Sequence, residues 1–260
     1  MTVRFSLASA SRLLAASALF LAATVPAVQI EAQSLPAAKD LIQKWATATN
    51  AGVWKSHKSA RSTAAFDLPA MGMSAKMETA QQFDPAKTVS RIDIPAMGEM
   101  RQGFDGQVGW STNPMQGPTL ITGAQLDAQK EESNPENYSR ITPSIVSSET
   151  VEKTTLNSQE CYKVKHTWKS GRVSHDCFAV SDGMIVWTQT KAPTQMGELE
   201  ITTTFGGYKD FGGIKRAATT TIDQGGQQII ITLQTWEWDT VDPKEFELPA
   251  EIKALVDKKP

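Results

Sequence analysis

This 260-residue chain is poor in the residues that most chemistry needs. It has three histidines, His57, His166 and His175, and two cysteines. No histidine has a helical i, i+4 partner or a Cys/Asp neighbour at metal-ligand spacing. There is no G-x-S-x-G elbow, no H-E-x-x-H pair and no phosphate loop, so hydrolase, zinc-protease and NTPase mechanisms have no anchor. No cluster of Lys and Arg stands ready to displace counterions from phosphates, which argues against nucleic acid as a partner. Tyrosine is scarce at three residues, whereas tryptophan, at seven, is abundant.

The only long apolar run lies at the start. Arg4 and Arg12 give it a basic flank, and Leu13 to Val25 is dominated by Leu, Ala and Phe. About thirteen residues are too few to cross a hydrocarbon core of ~30 Å, and small-residue cleavage sites follow at Ala27 and Ala32. The run reads as an export signal over 1–32, with periplasmic delivery as the expected fate. No cysteine follows it, so the mature chain is expected to be at most peripheral to membranes. The remainder, 33–260, carries 24 basic and 27 acidic residues, a net charge of −3, and is expected to form one domain.

In an exported chain, two cysteines read as one disulfide. Cys161 and Cys177 flank Trp168-Lys169-Ser170-Gly171, a turn sequence. A five-residue loop over 167–171 places the cysteines directly opposite each other. A three-residue loop places them diagonally, where Cβ atoms lie ~7–8 Å apart. The first register is the expectation.

Ser34-Leu35-Pro36 opens a helix, and Ala38, Leu41, Ile42 and Trp45 recur at i, i+3, i+4, i+7 to form an apolar stripe. The stripe needs a flat apolar host. From about Ser59 the period becomes two. Met71, Met73, Ala75 and Met77 alternate with Gly72, Ser74 and Lys76; Tyr162, Val164, His166 and Trp168 alternate with Cys161, Lys163, Lys165 and Thr167; Leu199, Ile201, Thr203 and Phe205 alternate with Thr and Glu. This is the pattern of antiparallel strands wet on one face. With Asp-Gly, Ser-Gly and Gly-Gly turns between them, the expectation is a mainly β (α+β) fold. Its core would be a strongly curved, open antiparallel barrel of about ten or eleven strands. Pro-Ala-Met-Gly recurs at 69–72 and 95–98, two similar turns at the same end of the sheet. The stretch 122–148 is polar and lacks the strand period, as a lid or rim does. A short C-terminal helix carrying Ile252, Leu255 and Val256 is expected over 249–258.

Six methionines, Met71, Met73, Met77, Met97, Met100 and Met115, fall within 45 residues. Thioethers suit Cu(I), but methionine is also the adaptable filler of apolar binding surfaces. Met71, Met73, Met77, Ile92, Ile94, Met100, Phe104 and Trp110 are the expected lining of an apolar cavity.

The run Phe104-Asp105-Gly106-Gln107-Val108-Gly109-Trp110-Ser111-Thr112-Asn113-Pro114 resembles the signature of the outer-membrane lipoprotein-sorting family, the LolA/LolB-like periplasmic carriers. Phe83-Asp84-Pro85, Ile94-Pro95 and Phe246-Glu247-Leu248-Pro249 follow that family's order along most of the mature chain. The resemblance implies an open barrel with a helical lid over an apolar cavity, no cofactor, no catalytic residue, and a lipid or lipoprotein acyl chain as ligand. Where the family carries a basic residue before the second-turn proline, this chain has Asp84, so fold carries over better than cargo. Two other readings remain open at this point: an envelope sensor that binds a protein partner, and a Cu(I) site on the methionine strand.

Overall fold

The structure, a computed structural model, describes residues 34–95, 97–194 and 197–258. The expected export signal lies outside the described residues. In chain order the elements are α1 (Ala38–Ala48), β1 (Ser59–Leu68), β2 (Met73–Phe83), β3 (Ala86–Ile94), β4 (Gly98–Phe104), β5 (Gly109–Asn113), β6 (Gly117–Ile121) and α2 (Gly123–Ser133). Then come β7 (Ile145–Leu156), β8 (Gln159–Trp168), β9 (Val173–Ala179), β10 (Ile185–Thr194), β11 (Gly197–Gly206), β12 (Lys209–Phe211), β13 (Ile214–Arg216), β14 (Thr219–Gln224), β15 (Gln227–Trp238) and α3 (Ala250–Asp257).

Thirteen strands form one antiparallel sheet in the order β6-β5-β4-β3-β2-β1-β15-β14-β11-β10-β9-β8-β7, and β12 and β13 form a separate ribbon. The sheet does not close on itself. Short strands such as the five-residue β5 and β6 account for the excess over ten or eleven, since so few residues show no clear alternation. Two meanders, β1–β6 and β7–β11, are joined through the ladders of β15 with β1 and β14. Their free edges are β6 and β7, neighbours in sequence. The intervening stretch, 122–144, therefore has to run from one edge of the curved sheet to the other.

Two patches of core hold the halves in shape. α1 lays Ala38, Leu41 and Ile42 on Val164, Phe178 and Ile185 of β8–β10, all buried. This is the flat host its stripe required, and full burial of a Leu or Ile contributes about 1.5–3 kcal/mol. On the opposite face of the other half, α3 and the segment before it press Phe246 and Ile252 against Ala80, Val89 and Trp110 of β2, β3 and β5.

The signature stretch is a hairpin written in turn chemistry. Asp105 Oδ1 accepts from the backbone N–H groups of Gln107 at 2.9 Å and Val108 at 2.7 Å, which turns β4 into β5. Asn113 Oδ1 accepts from Met115 N–H at 2.8 Å at the next turn. Between them Trp110 pairs with Gly103, and the indole occupies the space a Gly103 side chain would need: a Cβ there would lie 2.5 Å from the ring.

Cys161 and Cys177 are disulfide-bonded, with Cα atoms 5.5 Å apart. The register differs from the five-residue-loop expectation. Thr167 pairs with Val173 and Trp168 N–H donates to Arg172 O at 2.9 Å, which narrows the loop to residues 169–171, and Cys161 faces Ala179 while Cys177 faces Lys163. The cysteines are diagonal neighbours, and strand twist shortens one of the two diagonals enough for a bond.

Candidate functional site

The sheet's inner face encloses a cavity of about 950 Å³. Strand pairing arranges the β1–β4 side of its wall in rows. Met100, Ile92, Met77, Ala64 and Leu233 are successive cross-strand partners from β4 to β15, an apolar row. Two residues further along, or three on β15 where the register shifts, Gln102, Ser90, Thr79, Ser62 and Trp236 form the next row, which is polar until its last member. Beyond that stand aromatic rings: Phe83 with Trp54 and Trp238 at 6.0 Å each, and Trp236 edge-on to Trp238 at 5.4 Å. The wall thus grades from apolar to polar to aromatic along the strands.

Placement of the candidate lining residues follows from these rows. Met77, Ile92 and Met100 stand together on the cavity wall. Ile94 and Phe104 share their face but are buried under neighbours. Met73 is half-buried at the start of β2. Met71 is exposed on the β1–β2 turn. Trp110, 1% exposed, faces away from the cavity into the α3 patch, because its partner Gly103 belongs to the opposite row. The β1–β2, β3–β4 and β5–β6 turns lie at one end of the antiparallel sheet and carry the exposed Met71, Met97 and Met115. Among the described residues no group of three or more His, Cys, Asp or Glu is placed to hold a metal.

Residues 122–144 cross over this concavity as a strap. Gln129 of α2 is buried and donates to Gly103 O at 3.1 Å, fitting over Gly109, where a side chain would collide with it. A 3-10 turn at Pro135–Tyr138 follows, and Tyr138 O–H donates to Gln81 Oε1 of β2. Arg140 Nε donates to Asp176 Oδ2 of β9 at 2.7 Å. Arg172, in the β8–β9 turn, holds Glu131 from below at 3.0 Å. A polar segment can cover a cavity only if its own polar groups find partners, and these side chains supply them.

Sequence reading missed this polar set. Asp176 is 2% exposed. Burial pushes its carboxyl up, but Arg140 and the adjacent His166 outweigh that and hold it at about 2. His166 is fully buried, with Nδ1 2.8 Å from Ser148 Oγ and Nε2 3.3 Å from Asp176 Oδ2. Ser, His and Asp are the types of an acyl-transfer triad, yet the arrangement is different. The carboxylate is engaged by Arg140, the imidazole is sealed in, and Ser148 is not part of the cavity wall. Asp176, with His166 behind it, receives Arg140 and so fastens the strap to the sheet. The available signal was a charged or polar residue at inward parity: His166 in its strand, and Asp176 two residues past Ser174.

The other polar feature is Arg216. The β12–β13 ribbon folds inward between β11 and β14, with Phe211 and Ile214 buried, and Lys215 N–H donates to Thr49 O at 3.0 Å. This places the Arg216 guanidinium over the Trp236 ring at 4.3 Å and the Tyr138 ring at 5.2 Å. Nearby, Tyr208 O–H donates to Ile185 O at 2.7 Å, and burial raises its phenol.

No protein-family model matches the sequence, and no curated protein matches it. Solved structures do match the fold. A DUF1329 family protein from Desulfovibrio piger superposes with a TM-score of 0.56 at 12% identity, over 84% of this chain and 100% of its own. A LolA superfamily protein from Nitrosomonas europaea gives 0.55 at 12% identity, over 82% and 99%. The fold is LolA-like: a mainly β, curved, unclosed antiparallel sheet with an N-terminal helix and a short C-terminal one. No helix among the described residues is long and apolar enough to cross a membrane.

Proposed function

We propose that this protein is a periplasmic carrier or binding protein for lipid or lipoprotein acyl chains. Residues 1–32 serve as its export signal, 33–260 as one LolA-like domain, and the strap 122–144 as a lid, the expected stretch 122–148 being shortened by its last four residues, which belong to β7. The observation that carries the reading is the apolar row Met100-Ile92-Met77-Ala64-Leu233, which faces a 950 Å³ cavity beneath the strap. The volume lies at the upper end of the usual ~300–1,000 Å³ for ligand pockets. Methionines on such a wall repack around chains of different length and branching. The same geometry favours binding over catalysis, since His166 is sealed in and the Asp176 carboxylate is engaged by Arg140 of the strap.

The test is thermal unfolding of delipidated protein with fatty acids, phospholipids or acylated peptides. At a ligand concentration one hundred times Kd the expected stabilisation is about 2.7 kcal/mol, a rise of roughly 5–10 °C in Tm for a domain this size. No shift with any of the three ligand types overturns the reading.

A further inference from the structure

The acyl-carrier reading concerns the tail of a ligand; one residue in the cavity speaks to its head. Arg216 reaches the concavity from the β12–β13 ribbon, half-buried, with its guanidinium stacked on Trp236. The other arginines on the wall are engaged by carboxylates: Arg140 by Asp176 at 2.7 Å, Arg172 by Glu131 at 3.0 Å and Arg101 by Glu99 at 3.5 Å. Arg216 forms no ion pair among the described residues. It also acts on the Tyr138 phenol: burial raises that phenol and Arg216 partly offsets the rise. A guanidinium resting on an aromatic face keeps its in-plane N–H groups free for a second partner, and its fork matches carboxylate or phosphate oxygens.

Position then fixes the class of ligand. Trp236 is the cross-strand partner of Ser62, and Ala64 of the apolar row lies two residues along the same strand. At the strand rise this is roughly 7 Å. From Ala64 the inner face continues apolar through Phe66 and Ala75 toward the turns carrying Met71 and Met97. A head held at Arg216 would therefore send its tail over Met77 and out toward the methionine-bearing turns.

We propose that the cavity selects amphiphiles with a small anionic head, carboxylate or phosphate, and that Arg216 is the head-group anchor. The proposal rests on the acyl-carrier reading, and the test separates the two. Full-length mature protein, delipidated, is titrated calorimetrically with four probes: palmitate, its methyl ester, lysophosphatidic acid and lysophosphatidylcholine. Parent, Arg216→Gln and Arg216→Lys are compared. The parent is expected to bind palmitate or lysophosphatidic acid about tenfold or more tightly than the matching uncharged or zwitterionic probe, as one charge-assisted contact allows. Which of the two anions is preferred identifies the source as carboxylate or phosphate. Arg216→Gln should abolish this preference while leaving binding of the methyl ester unchanged. Arg216→Lys should retain part of it. A purely structural role for Arg216 would weaken all four probes alike. Equal binding of charged and neutral probes by the parent, or a preference that survives in Arg216→Gln, overturns the anchor and leaves the carrier reading standing. No binding of any probe by the parent overturns both.

Discussion

The two halves of the sheet are built from the same alternating strands, but they cover opposite faces. In the half made by β8–β10, α1 covers the concave face, and Val164, Phe178 and Ile185 are filled in from within. In the half made by β2–β5, the C-terminal segment and α3 cover the convex face, and Ala80, Val89 and Trp110 are filled in from outside. Of the two helices that pack a core patch, α1 lies inside and α3 outside, while α2 crosses the concave side within the strap, with Gln129 seated on Gly103 and Gly109. The cavity is lined by both halves, and its bare apolar row lies in the second, where the outer row is the packed one. A sheet with both helices inside would have a solid interior, and one with both outside would be an open trough.

The largest loss of stability is expected from emptying the convex patch. Trp110→Ala removes a ring that is 1% exposed and leaves a void between Gly103 and α3. The expected cost is about 3–5 kcal/mol, read as a fall in the urea midpoint, with acyl-ligand affinity unchanged at low temperature. A large loss of affinity in folded Trp110→Ala would mean that the two faces are not independent.

The disulfide braces the half that α1 covers. Cys161 and Cys177 close a loop of separation 16, so Cys161→Ser/Cys177→Ser is expected to destabilise by about 3 kcal/mol on the chain-entropy account. Ligand affinity should be unaffected, since neither cysteine is on the cavity wall.

The strap ties the halves together, and its clasp is acid-sensitive. Asp176 titrates at about 2 in the folded chain against a reference of 3.8, so its folded-state value is depressed. Its contribution is fully present above pH ~4 and is lost as pH falls through about 2. Arg140→Ala leaves that carboxylate buried without its partner, a loss on the order of 2 kcal/mol at pH 7, because Arg140 itself is partly solvated. Urea midpoints of the parent and Arg140→Ala should converge between pH 4 and pH 2. Midpoints that stay parallel to pH 2 would show that the clasp contributes nothing.

How much of this was readable from the chain divides along the same line. The helix stripe of α1 and the period-two strands were legible because each needs only local spacing, and the disulfide needed only composition and compartment. The faces of the second half were not. β3 carries apolar residues at both parities, Val89 toward the outside and Ile92 and Ile94 toward the inside, so one strand cannot say which face is bare. Trp110 joined the expected lining for this reason; the missing fact was that α3 would fold back over the convex side. Ile252, Leu255 and Val256 announced an apolar stripe but not its host. The clasp was hidden for a different reason. Arg140, His166 and Asp176 come from three elements whose pairing depends on the strap's path, which is set by edges far apart in the sheet.

The smallest effect on stability is the most direct probe of the hollow. Met77 belongs to the same strand as Ala80, and the two side chains face opposite ways. A truncation at Met77 enlarges a space that already exists and leaves no new void in packed material. Met77→Ala is therefore expected to cost under about 1 kcal/mol, well below the 2–5 kcal/mol usual when a packed methionine is truncated. Its mark should fall on binding instead, with weaker affinity for acyl ligands and no change in the response to acid. A stability loss of several kcal/mol at Met77 would mean that the inner row is packed as tightly as the outer one. In that case neither half of the sheet would have room for a ligand.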